Sequence, residues 1–118
     1  MFNFEKLDVS QEAIQFADLV YELTGNFPDE ERFGLTTQMR RAAVSVSSNI
    51  AEESSRVSRT DFSRLVEIAT GSLFEVVSQT TIALRRKMIS QNDYNRIYVV
   101  AEKQSKMLSG LRRSLSEM

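Results

Sequence analysis

The chain contains no cysteine, no histidine and no tryptophan, and only one proline and four glycines among 118 residues. Each absence excludes a chemistry. Without cysteine there is no disulfide framework, no thiolate-held zinc and no thiol nucleophile. Without histidine the commonest metal ligand and the usual general base near neutral pH are missing. An excess of one charge is also lacking. The 15 basic and 16 acidic side chains leave a net charge of -1, so nothing pulls the whole molecule toward nucleic acid or anionic lipid. No apolar run approaches the roughly 20 residues that cross a bilayer. The start, Met1-Phe2-Asn3-Phe4-Glu5-Lys6, has no basic region followed by an apolar one, as a signal peptide would. The expectation is a cytoplasmic protein with a single domain over 1–118, no membrane partner, no cofactor and no enzymatic activity.

Four amphipathic segments are present. The first runs from about Val9 to Thr24, with Val9, Ala13, Phe16, Ala17, Val20 and Leu23 at helical spacing. Asp8 and Gln11 read as a capping box before it, and Gly25-Asn26 as its stop. Phe27, Phe33 and Leu35 are too apolar for a free linker, so the following connection is expected to pack on the bundle end. The second helix covers about 35–54, with Leu35, Met39, Ala42, Val46 and Ile50 on one stripe. The third spans about 58–89, capped by Ser58 and Asp61, and faces inward with Phe62, Leu65, Val66, Ala69, Leu73, Val76, Val77, Thr80 and Leu84. The fourth covers about 91–116 after Ser90 as N-cap. Its inner face is expected to hold Tyr94, Ile97, Tyr98, Ala101, Leu108, Leu111 and Leu115. With no strand alternation, the fold class is all-α, an antiparallel up-down four-helix bundle.

Chemistry is scarce on these helices. The carboxylate-histidine metal site of helical bundles cannot be built without histidine. Glu67 and Glu75 lie on one side of the third helix, but eight residues separate them by about 12 Å. Serine is abundant, yet no motif presents a base to activate one. Three patterns remain. Gln38, Arg41, Ser45, Asn49 and Glu52 form a narrow polar stripe directly beside the apolar stripe of the second helix. This is either a network that satisfies the helix flank or a recognition site. Ile82 and Gly71 stand on the back of the third helix, Ile68 and Phe74 on its shoulders, and Val44 and Ala51 face outward on the second. These mark a self-association surface. Gly71 adds a further sign, since glycine in a helix interior costs close to 1 kcal/mol relative to alanine and suits a close backbone approach. The basic residues are clustered: Arg56, Arg59 and Arg64 at the start of the third helix, Arg85, Arg86 and Lys87 at its end, and Arg96, Lys103, Lys106 and Arg113 along the fourth. They are either a solubilising face or a phosphate-binding surface.

The stretch from Phe33 to Glu52 carries Phe33-Gly34-Leu35, Gln38, Arg40-Arg41-Ala42, Ser45 and Asn49-Ile50-Ala51-Glu52. It resembles the 23S rRNA intervening-sequence protein family of bacteria. Further matches are Phe4 to Leu7, Phe27-Pro28, Asp61-Phe62, Ile68-Ala69, Gly71-Ser72 and Glu75. Glu53 departs from the family pattern, which has glycine there, and its presence allows the second helix to extend toward Ser55. The resemblance implies an up-down four-helix bundle assembled as a ring-shaped homo-oligomer, a pentamer, with structured RNA or a nucleoprotein as partner. A similar fold serves as the accessory variability protein of diversity-generating retroelements, which binds a reverse transcriptase and nucleic acid. The motif positions are carried here by Gln38, Arg41, Ser45, Asn49, Glu52, Gly71, Ser72 and Glu75. The alternative is a protein scaffold or accessory subunit that binds no nucleic acid.

Overall fold

In the computed structural model the described residues are 7–53 and 58–116. Four α-helices account for nearly all of them: α1 (Asp8–Thr24), α2 (Leu35–Glu53), α3 (Arg59–Arg85) and α4 (Gln91–Ser116). Each helix packs on the two that neighbour it around the bundle, α1 on α2 and α4, and α3 on α2 and α4. The diagonal pairs do not meet among the described residues. The result is an up-down rod of 45 × 22 × 21 Å, close to the length of its two longest helices at 1.5 Å per residue.

The helical stripes meet along the axis. Phe16, Met39, Ile50, Leu73, Ile97 and Leu108 are fully enclosed, with Val20, Val46, Val66 and Val76 between them. Burial of one such side chain contributes roughly 1.5–3 kcal/mol, which is what fixes the faces of the helices. On α4 two positions depart from the expected pattern. Tyr98 is 42% exposed rather than inward. Gln104 stands in its place in the stripe of α4, fully buried, with Nε2 donating to the Val9 carbonyl at 3.2 Å.

The helix ends correct three readings. Asp8 does not cap α1: it is the first helical residue, and Leu7 stands at the N-cap, whose apolar side chain accepts nothing. The expected third helix, running to 89, stops four residues earlier because the backbone turns left-handed at Lys87 (φ 61°). The Met88 and Lys87 amides then donate to the Ala83 and Leu84 carbonyls at 2.9 and 3.0 Å, which is a Schellman closure. Between α1 and α2, Phe27 is buried and Leu35 packs on the core, but Phe33 is 89% exposed. It stands on the turn that follows a short 3-10 segment, Asp29–Glu31, so the turn carries it outward instead of onto the bundle end. The caps expected at Ser58 and Ser90 are present, their hydroxyls accepting from the Asp61 and Asp93 amides at 3.4 and 3.1 Å.

Candidate functional site

The polar stripe of α2 lies along the seam between α2 and α3. Its 3- and 4-residue spacing turns it toward the flank of α3, just outside the apolar contact. At the middle of the seam the Ser45 and Ser72 hydroxyls are 2.9 Å apart. Asn49 Nδ2 donates to the Ser45 carbonyl at 2.8 Å and to the Ser45 hydroxyl at 3.0 Å. One turn along α3 from Ser72, Gln79 Nε2 donates to Glu75 Oε1 at 3.3 Å. The fold therefore joins Ser45 and Asn49 of α2 to Ser72 of α3. Gln38 and Arg41 stand exposed at its outer margin, and Glu52 is exposed at the far end of α2.

The apolar residues singled out on the outside do not form a single patch. Ile68 and Ile82, 41% and 48% exposed, stand on the outer face of α3. Phe74, 59% exposed, turns toward α4 and lines a groove with Tyr98, Leu73, Val77 and Ala101. Val44, 40% exposed, lines a different groove on the outer surface of α2, and Ala51 is half-buried. Gly71 faces outward, and a Cβ built there meets no atom within 4 Å. Among the described residues nothing requires a glycine at that position.

The clustered cations divide by partner. Arg96 is bound twice, to Glu22 at 3.0 Å and Asp93 at 3.3 Å. Those bonds, first that to Asp93 and then that to Glu22, raise its pKa above the usual arginine value. Lys103 pairs with Glu12 at 3.3 Å. Arg64 lines grooves that also hold Glu67 or Glu52 and Asp61. Arg85, Arg86 and Lys87 are exposed at the end of α3, and Lys106 and Arg113 on α4. Arg56 and the Arg59 side chain lie outside the described residues.

The sequence reading missed Arg40. Its Nε donates to the Thr24 hydroxyl at 2.9 Å, its Nη2 donates to the Tyr21 carbonyl at 3.3 Å, and the guanidinium lies 4.6 Å from the Tyr21 ring centre. The available signal was helical phase. Arg40 falls on the opposite flank of α2 from Ser45, the flank that a short α1–α2 connection turns toward α1.

Among the described residues no group of three or more Asp or Glu could hold a metal ion. No helix there is long and apolar enough to cross a membrane. Fold and seam together define an all-α bundle whose polar motif joins its second and third helices. The chain belongs to the 23S rRNA-intervening sequence protein family, whose pattern matches residues 5–110. A similar solved structure is a protein of unknown function from the S23 ribosomal protein family of Bacteroides thetaiotaomicron VPI-5482. It has a TM-score of 0.83 at 24% identity and covers 89% of this chain and 95% of that one. No curated protein sequence matches the chain.

Proposed function

We propose that this protein is a non-enzymatic, cytoplasmic binding module that works as a ring-shaped homo-oligomer, a pentamer, with structured RNA or a nucleoprotein as its ligand. The observation that carries the oligomer is the outer face of α3. Ile68 and Ile82 are exposed there beside Gly71, whose missing side chain serves nothing inside the bundle. A neighbouring copy seated on α3 would account for both the apolar side chains and the glycine. Family membership supports the ligand class, since the family takes its name from insertions in ribosomal RNA.

Light scattering on the purified chain tests the assembly: a mass of five chains is expected, and a monomer at micromolar concentration overturns it. RNA binding is tested by titration at several salt concentrations. Affinity should fall steeply with salt, because phosphate contacts release counterions. Absent or salt-indifferent binding leaves the second reading, a protein scaffold. That reading has its own support, because Arg96 and Lys103 spend their charge on carboxylates of the same chain.

A further inference from the structure

A shallow groove runs over the outer surface of α2. It is lined by Tyr21 of α1 and by Thr37, Arg40, Arg41, Val44 and Ser48 of α2. The groove ends on Ser45 and Asn49 of the seam. Two guanidinium groups face it and no carboxylate lines it. The Arg64 grooves contain acids, and Arg96 is neutralised by two of them. Arg40, by contrast, is held by a hydroxyl, a carbonyl and a ring, none of which cancels its charge.

We infer that this groove binds a phosphate group. Arg40 is already immobilised by its two hydrogen bonds and its stacking on Tyr21, so it loses little side-chain freedom when it meets an anion. Its remaining N–H groups and the whole fork of Arg41 are available to donate. A planar carboxylate is satisfied by a single fork, whereas the several oxygens of a phosphate can accept from both. The phosphate can be a terminal monoester or a backbone diester of nucleic acid. The second case rests on the ligand class proposed above, and the first does not.

The test follows the arginine Nε–H resonances by NMR during titration of the assembled protein. The probes are inorganic phosphate and a short single-stranded oligoribonucleotide with either a 5′-hydroxyl or a 5′-phosphate. Arg40 and Arg41 signals should move with phosphate and with at least one oligonucleotide, and Arg41→Glu should abolish both responses. The Arg41 side chain makes no hydrogen bond or ion pair among the described residues, so that variant should keep its helicity and mass, as checked by circular dichroism and light scattering. Arg41→Ala should flatten the log–log salt dependence of oligonucleotide binding by about 0.7 for a single strand. Arg86→Glu, exposed outside the groove, should leave the Arg40 response intact. If neither phosphate nor oligonucleotide moves the Arg40 and Arg41 signals at low salt, the site is refuted. If oligonucleotide binding survives Arg41→Glu unchanged, the groove assignment falls while the RNA reading stands. If phosphate binds but no oligonucleotide does, the groove stands and the RNA reading falls.

Discussion

Gln104 is fully buried on α4, with its amide nitrogen on the Val9 carbonyl and its Oε1 without a hydrogen-bond partner among the described residues. One bond of this kind contributes about 1 kcal/mol, while an unpaired buried acceptor costs about 1–3 kcal/mol. Gln104→Met should therefore leave stability unchanged or raise it by about 1 kcal/mol in urea unfolding. Lys87 is the second residue under tension, the one non-glycine with positive φ among the described residues. A left-handed backbone costs a β-carbon residue about 1–2 kcal/mol. Lys87→Gly should raise the thermal midpoint by several degrees, and an unchanged midpoint would show that the turn holds no such strain. Gly71 gives the opposite case. If α3 stood alone in water, Gly71→Ala would stabilise the helix by about 1 kcal/mol. If a second copy sits against it, the added methyl should weaken assembly, which dilution followed by light scattering would reveal. Most of the buried set was legible from spacing, as Phe16, Met39 and Leu73 show. Gln104 was not, because its polarity was taken as a sign of exposure, and Tyr98 was not, because its ring was taken as a sign of burial. A glutamine with one long-range partner, and a tyrosine whose ring covers a groove, follow helical phase instead of hydropathy.

At the scale of elements, the caps decide where helices begin. Ser58 and Ser90 each satisfy one amide that the helix leaves open. Ser90→Ala should cost about 1 kcal/mol, and loss of helix should be smaller than loss of midpoint, since packing along α4 persists. The starts of α3 and α4 could be read from serine followed three residues later by aspartate. The start of α1 could not, because Asp8 offers the same signal and Leu7 takes the position. The end of α3 was hidden for a related reason: left-handed closure is announced by glycine, and here a lysine adopts it. The polar stripe was visible in sequence as a pattern, and the family resemblance added Ser72 and Glu75 on α3, but the pairing between the two helices was not visible. Only the antiparallel pairing sets Ser72 opposite Ser45.

For the whole molecule, charge constancy is the plainest expectation. There is no imidazole to titrate between about pH 6 and about pH 8. The raised pKa of Arg96 adds stability that is fully present below the unfolded arginine value and is lost only as pH rises through the folded one. That window lies above the neutral range, so the unfolding midpoint should be level across it; a step there would point to a group outside this account. The two proposals occupy distinct places on the surface: the back of α3 for a copy of the chain and the groove of α2 for an anion.

The absence of tryptophan has a practical consequence. Ultraviolet emission of the protein comes from its three tyrosines alone. Tyr21 lies beneath the Arg40 guanidinium, while Tyr94 and Tyr98 stand together on α4 with ring centres 5.9 Å apart. The first reports on the α2 groove, and the second pair reports on the seam with α3. With Tyr21 replaced by phenylalanine, the remaining fluorescence would monitor α4 alone, and the difference spectrum would isolate the groove. The fold thus carries its own unlabelled optical gauge for events on two separate faces.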